Sequence, residues 1–267
     1  MSSLAYNLLA LVALVPAAVI PLKSPSRGAP FWIAALVAVL GPAAAAAALL
    51  SGAWQTSLSA TLWVSIAASA GLFALVAAGS GQGWRLAPLL MPYLVVLGVV
   101  ASVAHRLEVA RPLSGTAPPA WLDLHILVGV MTYALLTLAA VASLATFLQE
   151  RALKRKSPNA LTRQLPSVAD SERLSGRLLL ACEIVLGLGL ATGMGTLYFE
   201  TGSLFKVDHK TLLSLLAFGL IGLLLVGHRV CGVRGRIAAR VVLVAYLLLT
   251  LAYPGVKFVT QVLQNPA

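Results

Sequence analysis

The sequence predicts an all-α fold, a polytopic bundle of about eight helices that cross a lipid bilayer, with both termini outside the cytoplasm. Three observations predict it. Of the 267 residues 60% are hydrophobic and 10% charged, and the mean hydropathy is +0.93, more apolar surface than one water-soluble core of this length can hide. The apolar residues form eight runs, most close to the ~20 residues needed to cross roughly 30 Å of hydrocarbon. The runs are continuous and do not alternate, which excludes the strands of a membrane barrel. No length remains for a separate soluble domain. The formal charge of +11 sits at the ends of the apolar runs, where topology and anionic headgroups account for it, and nucleic acid is excluded as a partner.

The first run, residues 4 to 22, has no basic residue before Lys23, unlike the start of a cleavable signal peptide, and reads as a retained span. Runs at 31 to 50, 60 to 79 and 86 to 105 follow, each bounded by charges, Pro or Gly, and complete an N-terminal half (1–120) without recognisable motifs. Residues 121–267 form the second half of a single membrane domain. Its first run, 121 to 148, exceeds what a bilayer requires and continues through Gln149, Glu150 and Arg151 to the break at Ser157-Pro158-Asn159, so the helix protrudes into the cytoplasm. The following loop carries Leu165-Pro166, and then Asp170, Ser171 and Glu172, a helix start with acids at the positive end of the dipole. The sixth run, 176 to 199, holds Gly187, Gly189, Gly193 and Gly195, a set that includes the GxxxG spacing by which two helix backbones approach closely. The last runs are 210 to 228 and 237 to 259. Cys182, within a span, and Cys231, in an Arg-rich loop, read as free thiols.

Orientation follows from the basic residues in the short loops. With the N-terminus outside, fourteen of the 19 fall inside, including Arg151, Lys154, Arg155, Lys156, Arg163, Arg173 and Arg177, together with Arg229, Arg234, Arg236 and Arg240. Arg106, Arg111, Lys206, Lys210 and Lys257 fall outside.

Four histidines are the candidate ligands, because neutral imidazole is a common ligand for haem iron and transition metals. In this topology His105 ends the fourth span, His125 lies about one turn into the fifth and His209 opens the seventh, all toward the outer face. His228 lies 19 residues after His209 on one span, roughly 28 Å away, so a single haem cannot use both and His228 serves the cytoplasmic side. The plain alternative is that interfacial histidines hydrogen-bond headgroups, water or a loop carbonyl; His125, with Gly129 and Tyr133 near its face, most needs a partner. Glu183 is the acidic residue well inside a span, about two turns from the cytoplasmic end of the sixth helix, and is a functional candidate, or else is paired with His228 or Arg229. No nucleophile with a placed base, Gly-rich phosphate loop, CxxC or HExxH is present, so the chain reads as a non-enzyme.

From residue 121 onward the motifs become specific. Leu124-His125-Ile126 with Tyr133, then Leu165-Pro166-Ser167, Glu172-Arg173-Leu174 and Ala191-Thr192-Gly193 occur in an order that resembles the cytochrome c assembly integral membrane family. Asp208-x-Lys210 resembles the end of that family's Trp-rich haem-handling segment. His228-Arg229 with Gly232-x-x-Gly235 resembles its inner-side stretch, and Tyr253-x-Gly255-Val256 its last span. The likeness covers roughly 121 to 259 and is greatest to the short eight-span inner-membrane proteins of the YpjD and HemX type. It implies a bacterial inner-membrane protein that handles haem b for cytochrome c maturation, with other cytochrome assembly or membrane proteins as partners. It also implies that His125 is an external axial ligand and that His228 receives haem from the cytoplasmic side. Leu204, Phe205, Lys206 and Val207 stand where the family carries tryptophans, and Val262, Leu263 and Gln264 where it carries a second external histidine. A haem on His125 therefore takes its second ligand from His209 or His105, or stays five-coordinate.

Two readings follow: a haem-binding assembly protein, or a membrane scaffold or regulatory subunit, for a transporter or a tetrapyrrole-pathway enzyme, that kept the fold and lost the haem site. A proton or ion carrier built on Glu183 is a remote third.

Overall fold

The computed structural model describes residues 3–23, 25–50, 57–107, 116–204, 208–255 and 258–259. Expectations resting on Arg111, Phe205, Lys206, Val207, Val256, Lys257 and residues 262–264 lie outside these. In chain order the helices are α1 (Ser3–Lys23), α2 (Ala29–Leu49), α3 (Leu58–Gly79), α4 (Ala87–Leu107), α5 (Pro119–Arg155), the short α6 (Ala160–Gln164), α7 (Val168–Thr201), α8 (His209–Val230) and α9 (Gly235–Thr250). Among the described residues all but α6 are long and apolar enough to cross a membrane, α9 together with the wider turn Leu251–Gly255 that continues it. The eight expected spans are therefore found, each within a few residues at its ends except around the 151–177 loop.

That exception has a local cause. Pro166 disfavours helix before it, and Ser167 then caps α7 by accepting the Asp170 amide N–H at 3.1 Å, so the helix begins eight residues ahead of the apolar run at 176, with Asp170 of the expected helix start in its first turn. Across the loop, α5 closes on Lys156, which takes the left-handed conformation (φ 49°) ahead of Ser157-Pro158. At 37 and 34 residues, α5 and α7 are about 55 and 51 Å long, so both outrun a hydrocarbon layer of about 30 Å. The loop between them is held down by Gln149, whose amide donates to the carbonyl oxygens of Thr162, Leu165 and Pro166 at 2.8, 3.3 and 3.0 Å.

α5 is the centre of the bundle. From Thr132 to Ser143 every residue is buried, which a helix shows only when neighbours cover it all round. α7 packs along it on one side, α9 on a second and α3 on a third, while α1, α2, α3 and α4 pack on one another. Lipid-facing side chains such as Leu223, Val226 and Val230 of α8 stay exposed, as an apolar solvent allows.

Several polar groups inside this apolar bundle are paired across helices. In the N-terminal half the buried Trp63 indole donates to the Asn7 side chain, joining α3 to α1. Between the halves, the hydroxyls of Tyr93 on α4, Tyr133 on α5 and Tyr246 on α9 meet: Tyr246 donates to Tyr133 at 3.1 Å, and Tyr93 bonds Tyr246 and lies 3.4 Å from Tyr133. An unpaired hydroxyl in hydrocarbon costs several kcal/mol, so such a cluster holds three helices in register. Both cysteines are free thiols, Cys182 buried and Cys231 exposed.

Candidate functional site

α5 and α7 run antiparallel, as do α8 and α9, and the four share one seam with a cavity toward each end. The first, of about 410 Å³, lies among the start of α5, the end of α7, the start of α8 and the turn after α9. The second, of about 450 Å³, lies at the opposite ends of the same helices.

His125 lines the first cavity, and α7 fixes its orientation. Its Nδ1 is 3.0 Å from the Thr192 hydroxyl, and that hydroxyl gives its own hydrogen back along the helix to Leu188 O at 2.9 Å, shared with Gly189 O at 3.1 Å. With its one hydrogen on these carbonyls, Thr192 Oγ1 is left to accept from a protonated His125 Nδ1. In that arrangement Nε2 carries the free lone pair, and Nε2 makes no hydrogen bond among the described residues. One turn earlier Trp121 Nε1–H donates to Thr192 O at 3.1 Å, so two side chains on one face of α5 dock on a single residue of α7. The α7 glycines make this approach possible. A Cβ on Gly193 would stand 3.2 Å from the His125 ring, and one on Gly195 would stand 2.5 Å from the Trp121 ring. The expected role of the glycine set, close helix approach, is thus realised against α5 by Gly189, Gly193 and Gly195, while Gly187 faces Phe218 of α8.

The cavity wall is largely apolar, with polar groups gathered at one end. Leu186, Leu190 and Leu249 form apolar wall, whereas Glu200, Asp208 and Lys210 line its terminal end. At Gly129, one turn beyond His125, an added Cβ would meet nothing within 4 Å, so open space lies beside the imidazole. Met194 and Tyr253 also line it, and their thioether and phenol belong to the chemistries that ligate haem iron.

The other candidates divide. Lys210 lines the first cavity, as does Asp208, whose carboxylate also caps α8 by accepting Thr211 N–H at 2.7 Å. His209 is exposed on the first turn of α8 and is not among the lining side chains. His105 is in the last turn of α4, which packs on α1 and α3, and it lines neither cavity. His228, half-buried in the last turn of α8, lines the second cavity with Arg229, Arg173, Arg177 and Arg234. Glu183 lies between the cavities, about four turns into α7 because the helix starts early. Its Oε1 would stand 2.9 Å from a Cβ on Gly222 of α8, and its Oε2 is buried without a hydrogen-bond partner. No ion pair joins it to His228 or Arg229 among the described residues; those residues are six and seven positions beyond Gly222, roughly 9 to 10 Å along α8.

Several motif residues acquire structural roles. Glu172 Oε1 accepts the Gly235 amide N–H at 2.7 Å and so caps α9 from α7. Gly232 and Gly235 both have left-handed φ (64° and 63°), and a Cβ on Gly235 would collide with the Glu150 carboxylate. Glu150 also pairs with Arg236 at 3.6 Å. Thr192, Trp121, Met194 and the arginine-lined second cavity are not singled out by the sequence reading, although Ala191-Thr192-Gly193 is a motif of the resemblance.

The family model described as cytochrome c assembly protein matches residues 31–264. The chain belongs to the cytochrome c assembly family. The family match takes in most of the N-terminal half as well as the region from 121 onward. An uncharacterized 28.8 kDa protein in the nifR3-like 5′ region of Azospirillum brasilense is 55% identical over 267 residues, covering 98% of each chain. The inner membrane protein YpjD of Escherichia coli is 28% identical over 190 residues, covering 70% of this chain and 69% of its own. No solved structure matches the chain.

Proposed function

We propose that this member of the cytochrome c assembly family is an inner-membrane haem-handling protein that supports cytochrome c maturation and is not an enzyme. The observation that carries the reading is the His125–Thr192 pair, a histidine held by a threonine hydroxyl at the wall of a cavity with open space beside the ring. A hydrogen bond on the other ring nitrogen orients a metal-ligating imidazole and raises its basicity. Haem b is the cargo. His125 Nε2 would hold its iron, the leucine wall would lie against its apolar body, and Lys210 would meet a carboxylate. Haem arrives from the second cavity, where His228 sits, and both termini face away from the cytoplasm, so that the arginine-rich ends lie inside. Reporter fusions at each terminus test the orientation: alkaline phosphatase active at both supports it, and green fluorescence at either contradicts it.

A scaffold that has lost its haem site is favoured by one observation, that neither His105 nor His209 lines the His125 cavity. Absorption spectra of detergent-purified protein, expressed with abundant haem and recorded oxidised and dithionite-reduced, separate the readings. A Soret band that shifts or disappears in His125→Ala supports haem handling. A featureless wild-type spectrum, with cytochrome c content unchanged in His125→Ala cells, leaves the scaffold.

A further inference from the structure

Around the second cavity three helix ends converge. Arg173 and Arg177 lie four residues apart on α7, Arg229 lies in the last turn of α8 and Arg234 directly precedes α9, all four exposed at the rim. The interior behind them is buried, with the apolar side chains of Leu179, Leu224 and Val242 beside the hydroxyls of Ser143, Thr146 and Ser175. Like charges gathered at one opening repel unless an anion lies among them. The acids close by are already engaged: Glu172 accepts the Gly235 amide, and Glu150 pairs with Arg236. That pair, the ion pair found among the described residues, includes none of the four rim arginines.

We infer that this opening is a receptor for an amphiphile with two carboxylates at one edge, the rim arginines binding the carboxylates while the apolar body enters the cavity. The inference rests on the haem-handling reading and deepens it: the rim selects a tetrapyrrole dicarboxylate by its acid groups, independently of iron. Guanidinium is suited to this, because its planar fork pairs with a carboxylate through two parallel hydrogen bonds. A membrane phospholipid offers related chemistry, an anionic head on an apolar body, and the experiment separates the two.

The full chain in nanodiscs of phosphatidylcholine is titrated with metal-free protoporphyrin IX and with its dimethyl ester, followed by porphyrin fluorescence. The free acid is expected to bind roughly tenfold or more tightly than the ester. In the double variant Arg173→Gln/Arg229→Gln the preference falls below about threefold, and the Lys double variant restores part of it. Arg151→Gln, outside the cavity lining, is expected to leave it unchanged. Equal affinity for acid and ester, or a preference untouched by the double Gln variant, overturns the inference. So does displacement of the porphyrin by phosphatidylglycerol at lipid-like excess, which makes the site a headgroup site. Because the probe lacks iron, this result is independent of the His125 Soret test: a lost Soret band with intact acid preference keeps the rim, and the reverse keeps only His125.

Discussion

Replacing Thr192 by Val removes one hydroxyl and nearly nothing else. The two side chains are close to isosteric and both are β-branched, and Thr192 is 8% exposed, so the helix and its packing survive. The lost oxygen is the acceptor of His125 Nδ1–H at 3.0 Å, and no other partner for that nitrogen is found among the described residues. A donor left unsatisfied in such surroundings costs about 1–3 kcal/mol, and the ring loses the constraint that keeps Nε2 as the base. At 1.4 kcal/mol per factor of ten, haem affinity is expected to fall roughly 10- to 100-fold. The assay is haem titration of purified protein by Soret absorbance in wild type, Thr192→Val and Thr192→Ser. Ser keeps an acceptor at the same place and is expected to recover most of the loss. Affinity within about twofold of wild type in Thr192→Val, with His125→Ala still abolishing the band, would refute the argument that this hydroxyl sets the ligand.

Gly195→Ala drives a methyl group to 2.5 Å from the Trp121 ring and displaces the indole that bonds Thr192 O; the expected loss is about 1–3 kcal/mol, read as a lower melting temperature in detergent. Gln149→Ala frees three loop carbonyls at once, and limited proteolysis between Arg151 and Arg163 is expected to accelerate severalfold while the spans stay protected. Tyr246→Phe removes the hydroxyl on which the tyrosine cluster converges, at a cost of about 1–2 kcal/mol in thermal stability, whereas Tyr198→Phe, on an exposed face of α7, is expected to change nothing measurable.

Span number and helix type were legible in the sequence because lipid imposes one rule on every segment: backbone groups must be satisfied locally over a fixed thickness. The family was legible too, since the motif order from Leu124 to Gly255 matched residues whose structural reasons emerge in the fold. Pro166 and Ser167 start α7, Glu172 caps α9, Gly232 and Gly235 take left-handed turns, and Thr192-Gly193 receives His125. The helix start ahead of the sixth span was legible to within a few residues from Asp170 and Glu172, whereas its cap, Ser167, was not.

Which histidines share a site was decided by tertiary structure alone. Sequence could place His105, His125 and His209 toward one face, since depth follows from position along a span. It could not say which way each helix is turned, or that α4 packs away from α7 and α8, because those are set by close contacts between side chains far apart in the chain. The resulting assembly sets His125 against Thr192, leaves His105 and His209 off the cavity wall, and gathers Arg173, Arg177, Arg229 and Arg234 at one opening. The apolar runs determine that this chain lives in a membrane; the interlock of α5, α7, α8 and α9 determines which of its few polar groups meet there.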